Sequence, residues 1–96
     1  MATDERQAAA AKVNDLITVL KSNPIRETAA IVEECDGLAR AIAAFHMEGI
    51  RFRIYNVDRL LRNTAEVAPI ARTLLEEARH HLEAAGFHTR SHQAPS

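Results

Sequence analysis

The chain has 96 residues, a length that suits one domain and leaves no room for two. An apolar fraction of 47% fits a folded protein rather than a disordered one. The net charge of −1 argues against a whole-molecule attraction to nucleic acid or anionic lipid.

A lone cysteine, Cys35, leaves no partner for an intrachain disulfide and no Cys-type metal spacing. Residues 1–7 are polar and carry no signal segment, and no apolar run reaches the roughly 20 residues of a membrane span, so a cytoplasmic location is expected. Much of the apolar fraction is alanine, and aromatics make up only 4%. Alanine buries little area, so the core of one chain should be thin and should gain from a second copy.

The first helix is expected from Thr3, as N-cap, to about Lys21. Asp4 and Glu5 suit its positive end, and Ala9, Val13, Leu16, Ile17 and Leu20 recur at helical spacing. The run Ser22-Asn23-Pro24 closes it, with Asn23 able to cap a second helix that has Pro24 at its first position.

That second helix carries Ile31, Cys35, Leu38, Ile42, Phe45, Gly49 and Phe52 on one stripe. Gly37 keeps the phase and offers another element a close approach. Beyond Gly49 a new stripe begins, Ile50, Ile54, Val57 and Leu61, about 120° around the axis from the first. Either the helix breaks or kinks at Gly49, which the glycine favours, or one long helix buries two faces against different neighbours.

Asn63 and Glu66 have capping-box spacing ahead of Pro69. Val67, Ile70, Ala71, Leu74, Ala78, Leu82 and Ala85 give the last helix its apolar face. Gly86 and Phe87 then fit a Schellman end, with Phe87 folding back on Leu82.

These elements predict an all-α bundle of three or four helices in one domain over residues 1–87, with a disordered tail over 88–96. The wide apolar arc of the second helix, which adds Ile25, Val32 and Ala39 to the main stripe, points to completion of the bundle by a homodimer. Leu38, Ile42, Phe45, Phe52, Ile54 and Tyr55 are its expected interface residues.

Four groups carry possible chemistry. Glu77 and His80, three apart on a helix, resemble the carboxylate–histidine unit of di-metal bundles. A dimer supplies two such units, with Glu33 or Glu34 completing the donor set. His80, however, lies far around the wheel from Leu74, and a solvated face with a Glu76–His80 or Glu77–His81 pair explains the same residues. His88 and His92 have ligand-like spacing but lie past the helix stop, and His81 turns toward the apolar side.

Arg51, Arg53, Arg59 and Arg62, interleaved with Phe52 and Tyr55, are the residue types that bind nucleic acid. Salt bridges to Glu27, Glu33, Glu34 and Asp36 account for them as well. Cys35 lies between Glu34 and Asp36 on the apolar stripe, a setting that opposes a reactive thiolate.

The sequence contains no nucleophile motif, phosphate loop or cofactor fingerprint. The expected function is a non-enzymatic interaction or regulatory module: a homo-oligomer, without a cofactor, that binds another protein. A metal-binding bundle assembled across a dimer is the alternative, and nucleic-acid binding through residues 51–62 the third.

Overall fold

The computed structural model describes residues 4–64, 66–87 and Thr89. It is a four-helix bundle: α1 (Glu5–Ser22), α2 (Thr28–Ala43), α3 (Met47–Arg62) and α4 (Pro69–Ala84), with no strand among the described residues. Three short connections join neighbours in chain order, and α4 closes the ring on α1. The α1–α4 seam is packed most broadly and the α3–α4 seam least, while the backbones of the diagonal pairs stay apart.

The helix ends follow local chemistry, not always the expected residues. Thr3 lies outside the described residues. Asp4 caps α1, its carboxylate accepting from the backbone N–H groups of Arg6 and Gln7. Asn23 closes α1 instead of opening α2, its backbone N–H and its Nδ2 both donating to Val19 O. Pro24 is therefore in the connection, and α2 begins four residues later. There the Thr28 hydroxyl accepts from Ile25 N–H at 2.7 Å and fixes the entry.

The expected capping box at Asn63 does not form, because Asn63 ends α3. Ala68, held extended at ψ 137° ahead of a proline, opens α4, with Pro69 in its first turn as expected.

The helix does break between the two apolar stripes, but before Gly49. Ala43 is the last residue of α2 and Met47 the first of α3. Phe45 N–H donates to Ile42 O and His46 N–H to Ala41 O, a Schellman pair with Phe45 at φ 57° in the left-handed position. His46 then caps α3, its Nδ1 accepting from Gly49 N–H at 2.8 Å. A Cβ on Gly49 would come within 2.8 Å of that ring nitrogen and 3.3 Å of Ala41 Cβ. Gly49 therefore makes room for the cap and for helix packing rather than supplying the bend.

The same motif ends α4 as expected. Phe87 N–H donates to Leu82 O and Gly86 N–H to Glu83 O, with Gly86 at φ 99°. The Thr89 hydroxyl donates to Glu83 Oε2 and is buried. The rest of residues 88–96, where a disordered tail was expected, lies outside the described residues.

Each helix contributes one stripe to the core. α1 gives Ala9, Val13, Leu16 and Leu20; α2 gives Ile31, Cys35, Leu38 and Ile42; α3 gives Ile50, Ile54, Val57 and Leu61. On α4 the buried arc is broader than expected. Ala71, Leu74, Ala78 and Leu82 are joined by Leu75 and Arg79, while Ile70 and Ala85 are exposed. The helix has neighbours on two flanks, α1 and α3, so its buried arc extends toward α3.

No helix of the described residues is long and apolar enough to cross a membrane.

Leu38 has no exposed surface. Leu38→Ala should therefore cost about 2–5 kcal/mol in chemical denaturation, and a change below about 0.5 kcal/mol would show that the core tolerates the cavity.

Candidate functional site

The residues expected at an interface fall into two groups. Leu38, Ile42 and Ile54 are interior to a single chain, which covers them itself because α2 and α3 turn their stripes onto a shared core. Phe45 and Phe52 are instead 64% and 51% exposed. Apolar spacing puts both on the α2 stripe, but α2 ends before Phe45, and on α3 Phe52 lies opposite the buried stripe. Tyr55 is half-buried.

Phe45 stands at one end of the bundle, where three chain segments meet. The Arg6 guanidinium lies 4.0 Å from its ring centroid, a cation–π contact. Arg6 Nη1 also donates to Ile42 O at 3.2 Å, so one side chain ties the start of α1 to the end of α2 and steadies the ring. Beside it is an open hollow lined by Asp4, Glu5, Arg6, Phe45, Ala85 and Phe87. The Glu5 carboxylate pairs with His81 Nδ1 and fastens α1 to α4 at the same end. The corner therefore presents two phenylalanines, one held in place by an arginine, above a floor of opposite charges.

The metal-type residues are not brought together. Glu77 pairs with Lys12 Nζ at 3.1 Å across α1–α4, and Glu34 receives Arg53 at 2.9 Å and Asn56 at 3.2 Å across α2–α3. Glu33 and His80 are exposed, on diagonal helices whose backbones stay apart. Among the described residues no group of three or more His, Cys, Asp or Glu converges. His88 and His92 lie outside them.

Three of the four segment arginines have carboxylate partners. Arg53 reaches Glu34, Arg51 pairs with Glu48 at 3.0 Å, and Arg62 pairs with Asp58 at 3.0 Å. Gly37 provides the close approach expected of it, but to a side chain. A Cβ there would meet Arg53 Nε at 2.7 Å, so the missing methyl group lets the guanidinium lie across α2 and reach Glu34.

Cys35 has no exposed surface. Burial first, then the charges of Asp36 and Glu34, pushes its thiol from the ordinary 9.0 up to about 12.

Comparison of the chain with protein-family models, curated proteins and solved structures finds no match.

Sequence reasoning missed the left-handed residue at Phe45, because a Schellman end is normally signalled by glycine and none stands there. It also missed the burial of Arg79, since a charged residue is not counted toward an apolar face.

Cys35 should resist thiol reagents at neutral pH until the chain unfolds. Its folded pKa is raised, so the unfolded state loses the proton first as pH rises. The stability of the wild type should therefore fall relative to Cys35→Ala between pH 9.0 and about 12, and parallel pH profiles for the two would refute the shift.

Proposed function

We propose that the chain is a non-enzymatic interaction module that acts as a homo-oligomer in a reducing, cytoplasmic setting, binds a second protein, and makes its contacts through the Phe45 corner. The observation that carries this reading is the conformation of Phe45. Among the described residues two helices close in a Schellman motif, and the one closing α4 has glycine in the left-handed position. The one closing α2 has a phenylalanine there at φ 57° and 64% exposed.

A non-glycine residue in that region costs about 1–2 kcal/mol, and an exposed aromatic ring returns little burial. Local stability is thus sacrificed at a site where glycine would serve the fold better, the mark of a residue retained for contact. Aromatic and arginine side chains are also the ones that anchor interfaces, and Phe45 and Arg6 are stacked here. Self-association is the contact that needs no second component. The ring of one copy can enter the hollow beside Phe87 of another, because a twofold axis sets the same patch against itself.

Phe45→Gly tests the reading. Stability should hold or rise by about 1 kcal/mol, since the strain is relieved. Sedimentation equilibrium should show a self-associating wild type and a variant shifted to the 10.6 kDa monomer. A wild type that stays monomeric at micromolar concentration, or a variant that associates as well as the wild type, would overturn it.

A further inference from the structure

We infer that the reversal between α2 and α3 is an acid-sensitive hinge: protonating His46 uncaps α3 and loosens the left-handed turn at Phe45. The hinge belongs to a single chain and works whether or not the Phe45 corner joins copies. His46 Nδ1 accepts from Gly49 N–H at 2.8 Å, while the backbone N–H of His46 donates to Ala41 O at 3.0 Å. A ring nitrogen accepts a hydrogen bond only while it carries no proton, so this cap requires the neutral ring with its hydrogen on Nε2. The protonated ring has a hydrogen on both nitrogens. Nδ1–H would then face Gly49 N–H, two donors against each other, and the ring must turn away. A positive charge is also disfavoured at a helix N-terminus, where the backbone dipole is itself positive. Both effects act in the same direction.

Histidine is the side chain whose charge ordinarily changes between about pH 5 and 8. Among the described helix starts, the one that rests on a histidine acceptor is that of α3. His46 is exposed, so protons reach it without unfolding. The charged groups at this end of the bundle do not offset the effect. On α3, the first-turn carboxylate of Glu48 is held by Arg51 at 3.0 Å. On α2, Arg40 is exposed in the last turn. From α1, the Arg6 guanidinium stacks on Phe45, the neighbour of His46 in the chain, while Asp4 caps α1 and Glu5 pairs with His81 of α4. On α4, Arg79 pairs with Glu76, and Glu83 receives the Thr89 hydroxyl. These carboxylates are engaged, and Arg6 and Arg40 add positive charge to this end.

Losing the cap matters because the turn beside it is strained. Phe45 sits at φ 57°, held by its own N–H on Ile42 O and by His46 N–H on Ala41 O. A residue in that conformation persists only while its surroundings hold it there. On the α3 side, the ring of His46 is the hold. Once it lets go, Phe45 can return to an unstrained backbone and its ring can leave Arg6. Acid acts in the opposite sense on the other side of the bundle. Charged His81 attracts Glu5 more strongly, so α1 tightens on α4 as α2 loosens from α3.

The test compares the wild type with His46→Asn and His46→Ala in the full chain. Asparagine offers a capping acceptor at every pH, and alanine offers none. Nuclear magnetic resonance from about pH 8 to about pH 5 follows the His46 ring, the Gly49 amide and the Phe45 Cα, and chemical denaturation over the same range follows stability. At the upper end the His46 ring of the wild type should carry its hydrogen on Nε2. The Gly49 and Phe45 signals should then move together with the titration of that ring. The folded-to-unfolded ratio of the wild type should fall about fivefold relative to His46→Asn, and should approach that of His46→Ala at the acid end. The other histidines cancel in this comparison, since all three proteins carry them. A hydrogen on Nδ1 at the upper end, or parallel stability profiles for the wild type and His46→Asn, would overturn the inference. If a variant fails to fold, the wild-type spectra decide: Gly49 and Phe45 signals that ignore the His46 titration refute the hinge, and signals that follow it support it.

Discussion

Between α2 and α3 the chain must reverse within three residues, and the rest of the bundle depends on how it does so. The apolar stripes on either side lie about 120° apart around a continuous helix axis, so a straight helix would point them at different neighbours. Placing Phe45 in the left-handed region folds the second stripe back onto the first. Ile42 and Ile54 can then share one core, α3 can carry Arg53 across to Glu34, and the ring can close through α4. His46 serves both sides of the reversal, its N–H ending α2 and its Nδ1 beginning α3.

Much of this was legible in the sequence wherever a residue has only one good use. Apolar spacing located Ala9, Val13, Leu16 and Leu20 on α1, Ile31, Cys35, Leu38 and Ile42 on α2 and the whole α3 stripe, while also drawing in Phe45 and Phe52; Pro69 falls in the first turn of α4 as expected, and Gly86 with Phe87 marked its end. The rest was hidden where two uses compete. Asn23 can open one helix or close another, and it closes α1 because Thr28 supplies the next entry. Gly49 looks like a bend, yet its small size serves packing. Phe45 fits an apolar stripe so well that its periodicity concealed the turn. Of the candidate sites, the metal set failed on topology, since α2 and α4 sit on a diagonal that spacing along the chain does not reveal.

The polar side chains follow a pattern of their own. Lys12–Glu77 and Glu5–His81 fasten α1 to α4, and Arg53–Glu34 fastens α2 to α3. Partly exposed pairs like these contribute little stability each, but they select which flanks meet, and so fix the order of helices around the core. The α3–α4 seam differs in kind. One of its arginines, Arg79, is buried with its Nε and Nη2 unpartnered among the described residues.

The ring order has a consequence for how the chain is made. Two of the close seams join helices adjacent in sequence, but the broadest one joins the first helix to the last. During synthesis from the N-terminus, α1 therefore emerges with part of its apolar stripe uncovered and stays so until α4 has left the ribosome. The three earlier helices can pair locally in the meantime, but they form an open trough rather than a closed core. Cooperative folding waits on the final helix, and in that interval α1 is the surface most in need of a chaperone.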